Sequence, residues 1–415
     1  MKKHLIFFLI FTMDFWFAST VQASNAPLQI AFEKDGFLWI EVNGTQEKIT
    51  TELAVFPYPP QWSHDGKWLL YQKKLNGTPN SNIEPQNELW VYSIETKQHR
   101  KIFYNGRNPK WSPNQNIVAF TDRGVLNISD LDQFYNISLG VDDYNWFPDG
   151  KSFIVSSGAT LRPDGWTNPI LYKVAVPKIL KSTNLMSGQR FFIIPKELSK
   201  KDANVLSINV GSFAFSPDEK WLSFIVSPTA SMSMDSNMLC LLSSDGKYFE
   251  VLDEIILHLD EPQWAVSKNL LGYIAGGGRI VFGFKNKDLK VTELPALKTI
   301  ELTPPDYAEM GFTWVGDVGV VVSRVKEAEW SNDPKKRPNA SLYSISISDG
   351  KQKRISKPVK GFEDVQPRYV PATNQITWLR RKESAFKGDL WIAKPDGQNA
   401  KLWLNNIGHY AIFTH

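Results

Sequence analysis

Cysteine is nearly missing from this chain. Cys240 is the only one in 415 residues, so no intramolecular disulfide can form and the fold must rest on its own core. Its setting, Met238-Leu239-Cys240-Leu241-Leu242, marks it as a small buried hydrophobe. The apolar run from Leu5 to Met13 stops well short of the ~20 residues that a membrane-spanning helix needs. No long stretch keeps the 3.6-residue period of an amphipathic helix, which excludes a helical architecture. No Gly-x-Ser-x-Gly elbow occurs, so the nucleophile of an α/β-hydrolase peptidase is missing. Beyond His4, the histidines His64, His99, His258, His409 and His415 are scattered, without the pairing of a zinc site. Net charge is only +4, and Lys-rich stretches such as 285–290 and 351–354 are not interleaved with aromatics. Nucleic acid is therefore excluded as a partner.

What the chain does have is a recurring phrase: an aromatic, a small residue, a Pro/Asp/Gly turn, then an apolar run. PQWSHDGKWLLYQ starts at Pro60, PKWSPNQNIVAFT at Pro109, YNWFPDGKSFIVS at Tyr144 and FAFSPDEKWLSFI at Phe213. Weaker copies start at Pro262, Gly311 and Pro367. The key aromatics are Trp62, Trp111, Trp146, Phe215, Trp264, Trp314 and Tyr369, spaced 49, 35, 69, 49, 50 and 55 residues apart. Each copy reads as a short strand, a tight turn in which Pro presets φ and Gly accepts a positive φ, and a second, buried strand. A third strand carries its own signature, as in Glu88-Leu89-Trp90-Val91 and Asp389-Leu390-Trp391-Ile392, and a polar turn leads to a fourth. Four short strands repeated at a period near fifty predict an all-β fold, a single β-propeller.

The termini complete the count. Residues 28–50 match the last three strands of a blade that lacks its first, and residues 408–415 supply a lone first strand. Pairing them closes the ring and removes exposed sheet edges. The expectation is eight four-stranded blades, with seven as the alternative count, in a domain spanning residues 24–415. Lys2 and Lys3 ahead of an apolar run, and Val21-Gln22-Ala23 as a small-x-small site, mark 1–23 as a secretory signal, with an uncleaved anchor as the alternative. The mature protein is expected to be a monomer, exported to the periplasm or the extracellular space.

The phrases Trp62-Ser63-His64-Asp65-Gly66-Lys67, Trp111-Ser112-Pro113, Phe147-Pro148-Asp149-Gly150-Lys151 and Phe215-Ser216-Pro217-Asp218 resemble the repeat of TolB-like β-propellers. That repeat also occurs in the propeller domains of prolyl-oligopeptidase-type peptidases. The resemblance covers the mature chain and implies a protein-binding scaffold of the cell envelope. The stretch before residue 28 is too short for the separate α/β domain that TolB itself carries.

Two sets of residues are candidates for binding. Loops joining second to third strands are long at 73–87, 156–169, 227–237 and 325–340, and they open on the face where first strands begin. Trp166 and Trp330 lie on them, as platforms for a peptide or sugar or as plugs of their own loops. The other set is acidic: Asp142, Asp143, Asp260, Glu261, Asp306 (with Glu309), Glu363 and Asp364 are each expected just before a first strand. First strands line the channel, so these carboxylates would ring its mouth and attract Ca²⁺ or a basic peptide. The functional expectation is a non-catalytic propeller, needing no cofactor, that binds a protein, peptide or cell-wall glycan on its long-loop face. The alternative is a carbohydrate-active lyase or hydrolase of the envelope with a metal at the channel mouth.

Overall fold

Every strand of the repeat is found where its local chemistry puts it. The computed structural model describes residues 28–75, 86–177, 185, 188–229, 236–256, 259–277, 283–383 and 385–414. The expected signal 1–23 and the central parts of loops 73–87 and 227–237 lie outside the described residues. Among the described residues there is no α-helix, only two 3₁₀ turns at Pro334–Lys336 and Pro371–Thr373. The strands form six four-stranded antiparallel sheets and one of eight strands, whose two four-stranded halves are joined by the pairing of Ile255 with Ala275. Two short hairpins stand apart, Leu161–Arg162 with Gly165–Trp166, and Glu197–Lys200 with Ala203–Leu206. The sheets thus supply eight four-stranded units, numbered here along the chain.

Unit 1 is composite. Gln29–Lys34, Phe37–Val42 and Thr45–Lys48 take Tyr410–Ile412 from the other end of the chain, with Ile30 opposite Ile412 and Phe32 opposite Tyr410. Unit 2 is built from Gln61–Trp62, Trp68–Leu75, Gln86–Ser93 and His99–Phe103. Units 3 to 8 repeat that plan, ending with Phe362–Val370, Gln375–Lys382, Gly388–Ala393 and Lys401–Ile407.

The turn of the repeat phrase shows why its residues recur. The Ser63 hydroxyl donates to Asp65 Oδ1 at 2.6 Å, the Lys67 N–H donates to the same oxygen at 3.1 Å, and the Trp68 N–H donates to Ser63 Oγ at 3.0 Å. Gly66 sits at φ 67°, a left-handed conformation that costs glycine little. Ser216, Asp218, Lys220 and Trp221 repeat the same three bonds.

The second strands are buried on both faces, and their period of two divides the residues between neighbours. Leu69 and Tyr71 pack with Ala31, Leu38 and Ile40 of unit 1, whereas Leu70 packs with Val118 and Phe120 of unit 3. Val320 and Val322 face unit 6, and Val321 faces Ile376 and Trp378 of unit 8. Ile30 and Phe32 of unit 1 pack against Leu379, Leu390 and Ile407 of unit 8. The core clusters therefore lie between neighbouring units, and the one that units 8 and 1 share also reaches Ala308, Val325 and Ala340 of unit 7 and Phe284 of unit 6. Cys240 is fully buried in its third strand, where burial pushes the thiol up.

The key aromatics stitch the inner strands together. Trp62 donates its indole N–H to Ala411 O at 3.0 Å, Trp111 to Gln61 O at 3.1 Å and Trp146 to Lys110 O at 3.3 Å. Trp264 donates to Ala214 O at 3.2 Å and Trp314 to Gln263 O at 2.9 Å. In every case the acceptor belongs to the preceding unit. The residue before the aromatic reaches the other way, into the next unit. Gln61 bonds Pro109 O at 3.0 Å, Lys110 bonds Tyr144 O at 2.7 Å, Asn145 bonds Phe213 O at 2.6 Å and Gln263 bonds Phe312 O at 3.2 Å. Phe215 has no side-chain N–H to give, and its ring packs instead on Phe147, with ring centroids 4.7 Å apart. Trp314→Phe keeps most of the buried ring but strands the Gln263 carbonyl, and is expected to cost about 1–2 kcal/mol. A urea melt of the variant checks this; an unchanged midpoint would show that the inter-unit bond contributes nothing.

Candidate functional site

Several first strands carry a β-bulge at one repeat position. Asn108, Ser212, Gly311 and Gln366, each three residues before the key aromatic, sit at φ 48°, 54°, 153° and 54°. Pairing registers shift across all four. Bulges re-aim the side chains that follow them. In unit 4 the equivalent position is Asp143, whose Oδ1 accepts from Asn108 Nδ2 at 2.6 Å and whose Oδ2 accepts the Ser212 N–H at 3.1 Å.

The candidate carboxylates are largely engaged within the protein. Besides Asp143, Glu261 Oε1 accepts the Ser212 hydroxyl at 3.2 Å, and Asp260 Oδ2 accepts the Phe312 N–H at 3.0 Å. Burial raises the Asp260 carboxyl, with the Arg368 guanidinium pulling it down. Lys110 faces Asp143 and Glu261; burial lowers its ammonium and those two carboxylates oppose the shift. Glu363 is held by Arg381 at 2.9 Å, and Asp364 takes a two-pronged bond from Arg380 at 2.7 and 2.9 Å. Asp142 and Asp306 are exposed. The carboxylates are thus interleaved with Lys110, Arg368, Arg380 and Arg381. Among the described residues no three His, Cys, Asp or Glu side chains converge as a metal ligand set.

The two loop tryptophans behave differently. Trp166 is half-buried in the small hairpin, opposite Leu161. Trp330 folds back: its ring stacks on Phe284 at 5.8 Å and lies under the Arg337 guanidinium at 4.0 Å. Trp330 therefore closes its own loop onto the core between units 6, 7 and 8.

A further cavity lies on the same face, where unit 8 meets unit 1. It has a volume of about 470 Å³ and is lined chiefly by Arg368, Tyr369, Phe386, His409, Tyr410 and Ile412, with Pro59 of the loop into unit 2. That size is in the range of small-ligand pockets. Phe386 comes from the loop between second and third strands of unit 8 and is 51% exposed at the rim. Its ring meets His409 edge-on at 4.6 Å. Burial lowers the His409 imidazole, while Glu33 and a hydrogen bond with the Pro57 backbone oppose that shift. Glu33 is itself paired with Lys387 at 3.4 Å. Burial raises the Tyr410 phenol, with Arg368 and the Thr377 hydroxyl opposing; its hydroxyl donates to Gln366 O at 3.4 Å.

Sequence reasoning did not single out these residues, because five separate stretches, around 59, 366–369, 379–381, 386 and 408–414, build the pocket. One signal was available. Arg368 fills the slot before the key aromatic that Gln61, Lys110, Asn145 and Gln263 fill in other copies.

No family model and no curated protein matches this chain. Among solved structures it is similar to a eukaryotic initiation factor, at 12% identity and TM-score 0.56, over 92% of this chain and 87% of that one. It is similar also to dipeptidyl peptidase 4 of Porphyromonas gingivalis, at 10% identity and TM-score 0.56, over 90% of this chain and 58% of the peptidase. TolB from Acinetobacter baumannii matches at 13% identity over 93% of this chain and 66% of TolB, with a TM-score of 0.37 that carries no argument. At these identities the likeness is one of fold, and the chain is all-β, with antiparallel four-stranded sheets consistent with a β-propeller. No helix among the described residues is long and apolar enough to cross a membrane.

Proposed function

We propose that this chain is an exported, TolB-like β-propeller of eight blades, closed between its N-terminal strands and Tyr410–Ile412, that works by binding. Its partner is a protein or peptide of the cell envelope, engaged on the long-loop face; a cell-wall glycan is the other candidate. No cofactor is needed for this role. The observation that carries the reading is the pocket of about 470 Å³ at the junction of units 8 and 1. It combines apolar and aromatic walls with a few polar groups at its rim, which is the make-up of a recognition site. Tyr58, beside Pro59, and Phe386 add exposed aromatic surface next to its opening, and aromatics are enriched where partners dock.

The test is site-specific photo-crosslinking in the source cell's envelope. A photoreactive residue at Phe386 is expected to give a discrete adduct. The same residue at Asp349, in the turn between third and fourth strands on the opposite face, is expected to give none. Equal adducts from both positions, or none from either, would overturn the assignment of the binding face.

A further inference from the structure

We infer that the pocket between units 8 and 1 is a carboxylate-binding site, and that its occupant is the free C-terminus of an apolar peptide, with Arg368 as the anchoring residue. This deepens the binding role proposed above and rests on it.

The argument starts from a broken rule of the repeat. In units 2, 3, 4 and 6 the residue before the key aromatic spends its side-chain donor on a backbone carbonyl of the next unit. Arg368 occupies that slot in unit 8 and makes no such bond. Its guanidinium reaches only its neighbour's carbonyl, Pro367 O, at 3.3 Å. No carboxylate lies within ion-pair distance of it among the described residues; Asp260 acts on it only at longer range and already holds the Phe312 N–H. Arg368 is nevertheless an exposed residue on the pocket wall. A guanidinium carries five N–H donors in a planar fork that matches a carboxylate.

The remaining wall fixes the ligand's character. Two arginines and no Asp or Glu line the pocket, and Arg381 is already committed to Glu363. The other walls are mostly apolar or aromatic, with Leu379, Ile412, Tyr369, Tyr410 and Phe386, and their polar groups are Gln366, His409 and Thr414, none of them a carboxylate. One unspent cation beside apolar walls complements one negative charge next to apolar side chains. Capture of a terminal carboxylate is a recurring mode of peptide recognition, and a charge-assisted, two-pronged Arg–carboxylate bond is its strongest form.

The experiment uses the full-length protein and three pools of Nα-acetylated apolar tripeptides. One pool has free C-termini, one has the same sequences amidated, and one is amidated with a central Glu. Retention of each pool on immobilised protein is read by mass spectrometry. The free-acid pool is expected to be retained about tenfold or more over the amidated pool. Arg368→Gln is expected to abolish that preference and Arg368→Lys to keep part of it; thermal melts establish that both variants fold. Phe386→Ala is expected to weaken the acid and amide pools alike. Equal retention of acid and amide, no retention of either, or a preference that survives Arg368→Gln would overturn the inference. Retention of the central-Glu pool in place of the free-acid pool would overturn the C-terminus as occupant. In any of these cases an adduct from position 386 would still uphold the binding face, so the two failures are distinguishable.

Discussion

Deleting residues 409–415 is expected to destabilise the protein by about 5 kcal/mol or more and to make it associate with itself. The strand Tyr410–Ile412 contributes more than three pairings to unit 1. Ala411 O is the acceptor of the Trp62 indole, and the Phe413 N–H donates to Gln29 O at 2.9 Å. The Phe413 ring meets Trp62 at 6.1 Å and fills the space over Gly66, where an added Cβ would lie 2.9 Å from it. Tyr410 and Ile412 pack against the cluster shared by units 8 and 1. Each apolar side chain returned to water costs about 1.5–3 kcal/mol when it was fully buried, so several partly buried ones reach the stated sum. Truncation also bares the edge of Gln29–Lys34, a strand whose four central residues are buried, and an apolar unpaired edge is a template for intermolecular pairing. Urea denaturation and size-exclusion chromatography of the truncated chain check this. A monomer with an unchanged midpoint would mean that the terminal strand does not close the structure.

What the sequence made legible, and what it hid, follows from the range of the interactions involved. The phrase around Ser63, Asp65, Gly66 and Lys67 is self-contained, because its hydrogen bonds span five residues or fewer. Local chemistry of that kind can be read without a structure, and with it come the strands, their order and the shared unit 1. The 69-residue interval between Trp146 and Phe215 was opaque for the opposite reason. It holds the hairpin Glu197–Leu206, whose Leu198 and Val205 complete the core between units 4 and 5, and nothing local announces a hairpin added outside the repeat. The acidic residues were legible as a set but not as individuals. Glu363 and Asp364 lie opposite Arg381 and Arg380, and only the pairing register tells which carboxylates are already neutralised. The pocket was the least legible feature, since Pro59, Arg368, Phe386 and His409 come together only when the chain's two ends do.

Register also governs the second large effect. Glu309 stands opposite Arg324, five residues before Trp314, as Asp364 stands five before Tyr369 opposite Arg380. Glu309 is fully buried and Arg324 is 3% exposed. Arg324 Nε donates to Glu309 Oε1 at 2.7 Å, with the Thr303 hydroxyl on the same oxygen at 3.2 Å. The guanidinium lies over the Tyr343 ring at 4.9 Å and the Tyr307 ring at 5.8 Å, and Nη1 donates to Gln352 Oε1 at 2.5 Å. Arg324→Met would leave a carboxyl in a dry site without its counter-charge, and is expected to cost about 3–5 kcal/mol. Replacing both partners, Glu309→Leu with Arg324→Met, is expected to restore most of that loss, because the stranded group goes with its partner. The pair also sets a pH dependence. Burial pushes the Glu309 carboxyl up to about 7, with Arg324 pulling it down. A folded-state value above the unfolded one means that the folded form holds the proton more tightly. The stability this contributes is fully present below about pH 4.5 and is lost as pH rises through about 7. Urea melts between pH 5 and 8 are therefore expected to show the wild type losing stability relative to Glu309→Gln, which has no proton to release. Parallel profiles for the two proteins would show that Glu309 stays ionised beside Arg324 throughout, leaving the cost of Arg324→Met to the unpaired charge alone.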